Sequence, residues 1–134
     1  MADLYAFLHA EPINEEKEII ISKRFKDENG KAVAFKIKAL TQEENDAITR
    51  KCQKVKKIDG LSQTTFDANE YNLRVVLAGT VYPDFSAKEL CEHYGTLDPM
   101  DVPKRMLKSG EYSKLINAIS ELSGFGDEDT DAKN

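Results

Sequence analysis

Histidine and cysteine, which often act as nucleophiles, bases or metal ligands, are few in this sequence and widely spaced. The histidines are His9 and His93, and the cysteines, Cys52 and Cys91, form no CxxC pair. Cys91 and His93 are two residues apart, so on a helix they would point to different faces and could not share a metal ion. No serine, cysteine and acid constellation accompanies either histidine. We therefore expect no catalytic site, no metal and no cofactor, and we expect both cysteines to be buried apolar residues.

The densest cluster of positive charge, residues 50–57, is the one candidate for nucleic-acid binding. It contains Arg50, Lys51, Lys54, Lys56 and Lys57, and such side chains can contact phosphates. The formal net charge of −5 and the lack of an aromatic residue within the run argue against this function. We interpret the run as the basic end of a helix, where cations complement the helix dipole. An acidic partner protein is an alternative ligand.

An apolar group near the start of the chain is the candidate partner-binding site. It consists of Leu4, Tyr5, Phe7 and Leu8, which we predict to form a short helix capped by Asp3. A terminal helix this apolar either packs on the core of its own domain or docks into a groove of another protein. Both alternatives are open at the level of sequence.

A β-hairpin is predicted next, with strands at residues 18–26 and 31–39 that alternate between apolar and polar side chains. The register that brings the two apolar faces together pairs residues whose numbers sum to 58, namely Phe25 with Val33 and Ile21 with Ile37. This register requires a three-residue loop in which Gly30 adopts a positive φ.

Helical patterns fill most of the remaining chain. The predicted helices span residues 41–56, 66–82, 86–95 and 111–123, and a further short helix contains Met106 and Leu107. Capping boxes at Thr41 with Glu44 and at Ser86 with Glu89 begin two of them. Gly110 is expected to end the short helix, and Gly124 to give the last helix a left-handed end. The helix at 66–82 is apolar on most sides, which is typical of a central core helix.

The predicted fold is therefore α+β, a mostly helical single domain over residues 1–125 with one N-terminal antiparallel β-hairpin. Residues 126–134 contain four acidic side chains and almost nothing apolar, so we expect a disordered acidic C-terminal tail. The sequence shows no basic leader and no long apolar run, which predicts a cytosolic protein that does not enter a membrane.

Several short segments carry a further signal. They are Ser22-Lys23-Arg24-Phe25-Lys26-Asp27 with Gly30-Lys31, Thr41-Gln42-Glu43-Glu44-Asn45, Val81-Tyr82-Pro83-Asp84-Phe85, Tyr94-Gly95, Met106-Leu107, Gly110-Glu111-Tyr112, Leu115 and Gly124-Phe125. Together and in this order they resemble the XkdN-like family of phage tail assembly chaperones, over nearly the whole chain. The chain differs from the family pattern at residues 97–103, where two prolines stiffen the connection.

The resemblance implies a non-enzymatic protein of a phage or prophage that acts in the host bacterial cytoplasm and is absent from the mature particle. It implies binding to the tape measure protein, which such a chaperone keeps soluble until the tail tube polymerises. The tail tube protein is a second candidate partner, and neither nucleic acid nor membrane is expected to bind. The competing interpretations are a structural tail completion or terminator protein and a small nucleic-acid-binding regulator.

Overall fold

The computed structural model describes residues 4–125 of the 134-residue chain. Six helices occur in this part: α1 (Tyr5–Leu8), α2 (Gln42–Cys52), α3 (Ala68–Gly79), α4 (Lys88–His93), α5 (Asp101–Met106) and α6 (Ser109–Leu122). Five strands occur as well: β1 (Glu16–Ile19), β2 (Phe35–Lys38), β3 (Gln53–Ile58), β4 (Leu61–Phe66) and β5 (Thr80–Tyr82). The predicted cap at Asp3 and the predicted acidic tail lie outside the described residues.

The strands form two separate antiparallel sheets, a three-stranded sheet with the order β1-β2-β5 and the two-stranded sheet β3-β4. The core lies between the larger sheet and helices α3 and α6. Its fully buried side chains include Ile37 from β2, Val76 from α3, and Leu115 and Ile119 from α6. Cys52 and Cys91 are both buried and free, as predicted.

The two central helices pack closely at Gly79 of α3. A Cβ atom at this position would lie 2.6 Å from Cγ2 and 2.9 Å from Cδ1 of Ile119. Since real Cβ atoms do not approach so closely, only glycine allows Ile119 to occupy its present position. The predicted core helix thus exists, but it ends at Gly79, and residues 80–82 form β5 instead of a last helical turn.

The predicted N-terminal hairpin is correct at its turn and wrong further along. Lys26 and Ala32 form a bridge in the predicted register, Val33 N–H donates to the Phe25 carbonyl over 2.8 Å, and Gly30 has a φ of 81°. In β1 and β2, however, Ile19 lies opposite Phe35 and Lys17 opposite Ile37. The predicted pair of Ile21 with Ile37 does not form.

A turn at residues 22–24 causes this change of register. Arg24 N–H donates to Ser22 Oγ, and Phe25 N–H donates to the Ser22 carbonyl over 3.4 Å. The turn removes residues from the ladder, so strand alternation alone could not predict the pairing beyond it. The turn places Arg24 where its side chain reaches Glu111 of α6.

Arg24 and Glu111 form an ion pair between this turn and the first turn of α6. Arg24 donates from Nε to Oε2 over 3.1 Å and from Nη2 to Oε1 over 2.6 Å. The same Nη2 donates to the Met106 carbonyl, and Lys108 N–H donates to Oε1 of Glu111 over 2.8 Å. The hydrogen bonds from Arg24, opposed by burial and assisted by Lys108, lower the pKa of Glu111 to about 2.

The second sheet was missed by the prediction. The helix expected at residues 41–56 begins with the predicted capping box of Thr41 and Glu44, but it ends at Cys52. Residues 53–66 form a hairpin whose turn, Asp59-Gly60, has φ angles of 53° and 78°. Consequently Arg50 and Lys51 end a helix as predicted, whereas Lys54, Lys56 and Lys57 lie on β3. The description of one hairpin in a mostly helical domain is therefore corrected to two sheets and six helices within residues 4–125.

The last three helices are placed nearly as predicted. Ser86 does not cap α4, because its N–H and hydroxyl both bond to Asp84 and the N-cap residue is Ala87. Gly110 lies inside the first turn of α6 and does not end a helix before it. Gly124 has the predicted left-handed conformation after α6, with a φ of 101°.

The close packing at Gly79 predicts opposite effects of alanine at two helical glycines. Gly79→Ala should lower the free energy of unfolding by about 1–3 kcal/mol, because the new methyl group overlaps the buried Ile119 side chain. Gly110→Ala should raise it by about 0.4–1 kcal/mol, because nothing lies within 4 Å of the added Cβ and the unfolded chain loses freedom. Urea denaturation measures both, and equal stability of Gly79→Ala and wild type would contradict the packing argument.

The lowered pKa of Glu111 predicts a stability term that depends on pH. Since the ordinary pKa is 4.5 and the folded-state pKa is about 2, the ionised carboxylate stabilises the fold fully above about pH 4.5. This contribution is lost as the pH falls through about 2. Urea midpoints of wild type and Glu111→Gln should therefore differ most at neutral pH and converge towards pH 2. A constant difference would show that Glu111 acts through its shape and not its charge.

Candidate protein-binding surface

The terminal segment, defined as Leu4, Tyr5, Phe7 and Leu8, is exposed. Tyr5 is 64% and Phe7 79% exposed, and α1 contains no buried residue. Local contacts define its shape: Leu8 N–H donates to the Leu4 carbonyl over 2.9 Å, and the rings of Tyr5 and His9 stack 4.1 Å apart. The sequence left two alternatives for this segment. In the structure it does not pack on the core of its own domain.

A groove with a volume of about 460 Å³ is lined by residues that come after the terminal segment in the sequence, the first of which is Ile13. We call it the α3–α6 groove, because its walls are those two helices together with the residues that lead from β2 into α2. Its apolar lining comes from Ile13, Leu40, Tyr71, Val75, Ile116 and Leu122, and its polar lining includes Gln42, Asn45, Asn72 and Ser123. Glu15 is the only charged residue that lines it among the described residues.

Hydrogen bonds hold the walls of the groove in place. Leu40 N–H donates to Ser123 Oγ over 2.9 Å, which joins the start of α2 to the end of α6. The Tyr71 hydroxyl donates to Asn45 Oδ1, which joins α3 to α2. The groove is therefore formed before a ligand arrives, as ligand sites usually are.

The arrangement suits an apolar helix and no bond-making reaction. Volumes of about 300–1,000 Å³ are usual for ligand sites, but this groove brings no nucleophile next to a base. An amphipathic helix places its apolar side chains three and four residues apart along one face, which suits a groove whose lining combines apolar and uncharged polar side chains. Ile13 lines the groove only five residues after Leu8, so the terminal segment is tethered beside it.

A second cavity, between α3 and α5, is larger, with a volume of about 640 Å³, and has several charged residues in its lining. It is lined by Asp67, Glu70, Lys104 and Tyr112 among others. Its carboxylates have structural partners: Asp67 caps α3 by accepting from Glu70 N–H, and Glu70 pairs with Arg74 and Lys54. The hydrogen bond from Arg74, followed by that from Lys54, lowers the pKa of Glu70. These groups stabilise the helix and are not poised as acids or bases.

The two histidines lie at the ends of different helices, and both cysteines are buried and free. His9 stacks on Tyr5 near the start of the chain, whereas His93 contacts Tyr94 at the end of α4. Burial raises the pKa of the Cys52 thiol, which makes it a poor nucleophile. Within residues 4–125, no group of three or more histidine, cysteine or acidic side chains could hold a metal ion.

No helix in the described part of the chain is both long enough and apolar enough to cross a membrane. Among the exposed large apolar side chains of the described residues, four belong to the terminal segment and four to the β3–β4 hairpin. The hairpin was missed because residues 50–57 were interpreted as helix. The dipeptide Asp59-Gly60 between apolar, β-branched and aromatic residues was the available signal for a hairpin.

Residues 4–134 match the sequence pattern of a known protein family, which is described as "Phage XkdN-like tail assembly chaperone protein". The chain belongs to this family. Two proteins of Bacillus subtilis (strain 168) are similar to this chaperone, the uncharacterized protein YqbN with 40% identity and the phage-like element PBSX protein XkdN with 36%. Each alignment covers 94% of this chain and 87% of the relative. The family resemblance of the sequence segments is thereby confirmed.

A crystal structure of YqbN has the same fold as this chaperone. The two structures superpose with a TM-score of 0.76 at 37% sequence identity, over 93% of this chain and 98% of the other. Because the identity exceeds a third and the coverage is nearly complete, the fold described above is one already observed by experiment.

The exposure of the terminal segment predicts that it contributes little to stability. The double variant Tyr5→Ser, Phe7→Ser should change the free energy of unfolding by no more than about 0.5 kcal/mol per substitution, as expected for surface positions. Leu115→Ala is the matched core variant and should cost about 2–5 kcal/mol, because Leu115 is fully buried. Thermal denaturation of the three proteins tests this. A loss of several degrees in the double variant would place Tyr5 and Phe7 in the core.

Proposed function

We propose that this chaperone binds the tape measure protein non-covalently and keeps it soluble until the tail tube polymerises. The α3–α6 groove receives an apolar face of a tape measure helix, and the terminal segment closes over that helix from the side of Ile13. The function requires no covalent chemistry. The chaperone acts in the host cytoplasm and leaves before the particle is complete.

The observation that carries this proposal is the position of the terminal segment. Four neighbouring apolar side chains are exposed, and the last of them, Leu8, lies only five residues before Ile13, which lines the groove. Isolated exposed apolar residues need no explanation, but a contiguous apolar surface marks an interaction site. The family contributes the kind of partner, a phage tail protein, and the groove contributes the kind of contact.

The short length of α1 suits a temporary complex. A four-residue helix is marginal in water, so the terminal segment has to be ordered when it binds, and this ordering weakens the complex. Burial of one Tyr or Phe side chain contributes about 1.5–3 kcal/mol, which partly offsets that cost. The result is a modest affinity, which allows the polymerising tail tube protein to displace the chaperone. The tail tube protein is accordingly a second partner in this proposal.

Co-expression with the tape measure protein of the same phage tests the proposal. The wild-type chaperone should keep that protein in the soluble fraction and co-purify with it. The double variant Tyr5→Ser, Phe7→Ser should bind at least about tenfold more weakly, since about 1.4 kcal/mol corresponds to a factor of ten. Affinity is measured by titrating the purified tape measure fragment.

The matched control is Val55→Ser, Leu97→Ser, which removes two apolar side chains that as a pair are at least as exposed as Tyr5 and Phe7 and do not line the groove. It should bind as wild type does. Equal weakening by both double variants would show only that apolar surface was lost, and failure of the wild type to keep the tape measure protein soluble would refute the proposal. A structural completion or terminator protein would be found in purified particles, and a nucleic-acid-binding regulator would give a salt-dependent mobility shift.

A further inference from the structure

The β3–β4 hairpin projects from the domain. Every residue from 53 to 64 is exposed, including apolar side chains of both strands such as Val55 (70%) and Leu61 (73%). Successive side chains of a strand point to opposite faces, so both faces of this hairpin are open to solvent. A two-stranded hairpin with no covered face is marginal on its own in water.

The base of the hairpin is fixed to the domain. Asp67 N–H donates to the Cys52 carbonyl over 2.9 Å, Lys54 Nζ lies 3.3 Å from Glu70 Oε1, and the Phe66 ring contacts the Tyr71 ring. At the tip, the left-handed conformations of Asp59 and Gly60 match the twist of the two strands. The hairpin is therefore held in one direction, as an arm would be.

The two edges of the arm differ in charge. All three of its lysines, Lys54, Lys56 and Lys57, lie on β3, whereas β4 contains no charged residue. Proteins commonly protect a free strand edge with lysine, proline or a bulge. The β3 edge has this protection, and the β4 edge has none while being rich in residues that favour strands. The β4 edge is the one suited to pair with another strand.

The backbone of β4 supports the same conclusion. Because the Asp67 N–H points to β3's side of the hairpin and direction alternates along a strand, the N–H groups of Thr64 and Phe66 point away from β3. The register places Thr64 opposite Val55, whose N–H points outward from the other edge. The arm thus offers two comparable rows of backbone donors and acceptors, one beside lysines and one beside neutral side chains.

We propose that two copies of this chaperone associate by antiparallel pairing of their β4 edges, which joins the two arms into a four-stranded sheet with β3 outermost on each side. Antiparallel pairing about a two-fold axis makes the same edge complementary to itself. With strands about 4.8 Å apart, the two lysine-bearing strands are separated by about 14 Å, which exceeds the screening length of about 10 Å at 0.1 M salt. Pairing through β3 would instead place six lysines on adjacent strands.

The lack of charged residues on β4 also favours a second copy of the chaperone over an acidic or nucleic-acid partner. An acidic peptide or a nucleic acid would seek the lysines and would therefore contact the β3 side of the arm. A neutral edge gives such ligands no advantage, but it allows two equally charged copies to approach. The inference is independent of the proposed binding to the tape measure protein, because the groove and the arm use different residues.

Sedimentation equilibrium of the full chain tests the inference. Protein concentrations from about 10 to about 500 µM cover the range in which a small, weak interface would form a dimer. The wild type should shift from monomer to dimer as its concentration rises. Thr64→Pro removes an outward N–H from the β4 edge and should weaken dimerisation at least about tenfold. Val55→Pro is the matched control, because it removes an outward N–H from the opposite edge at the paired position, and it should dimerise as wild type does.

A second pair of variants covers the case in which proline unfolds the arm, which amide NMR spectra would reveal. Thr64→Lys gives the β4 edge the protection that β3 already has and should also weaken dimerisation, whereas Val55→Lys should not. A wild type that remains monomeric at about 500 µM would overturn the inference. So would self-association that responds to the Val55 variants and not to the Thr64 variants. Binding of an acidic peptide or nucleic acid to the arm of a monomeric protein would overturn it too.

Discussion

The contact between Gly79 and Ile119 sets the distance between the two central helices, and most of the structure depends on that distance. Because α3 presents no side chain at Gly79, α6 lies close enough to bury Leu115 and Ile119 completely against α3 and β2. The ion pair of Arg24 and Glu111 and the hydrogen bond of Leu40 to Ser123 then fasten the beginning and the end of α6. The α3–α6 groove is the remaining space along one side of this packed pair.

Sequence patterns predicted the features that depend on local chemistry. The capping box at Thr41, the left-handed glycines 30 and 124, the amphipathic α6 and the exposed apolar residues near the start all follow from neighbouring residues. The register of β1 with β2 was not predictable in this way, because a turn at residues 22–24 inserts residues between two paired regions. Arg24 of that turn bonds to Glu111, which is 87 residues away. The groove was also beyond prediction, since its walls come from segments far apart in the chain.

The β3–β4 hairpin shows a different kind of error. Basic residues that follow a helical pattern are compatible with a longer helix, and the interpretation of residues 50–57 gave that charge more weight than the Asp59-Gly60 turn after it. The turn determines the structure because both of its residues adopt a left-handed conformation that a helix does not contain. As a result, the chaperone presents apolar surface on the arm as well as in the terminal segment. The arm carries three lysines on β3, whereas Glu15 is the charged residue that lines the groove after the terminal segment.

The lining of the α3–α6 groove has a consequence for synthesis of the protein on the ribosome. The groove contains Ile13 near one end of the chain and Phe125 near the other, with Tyr71 between them. A nascent chain therefore exposes its terminal segment early but cannot complete the groove until α6 has left the ribosome. Since α6 also supplies Leu115 and Ile119 to the core, the core and the groove both require this helix. Synthesis from the amino end therefore makes the groove a late product of the chain, formed by the same helix that completes the core.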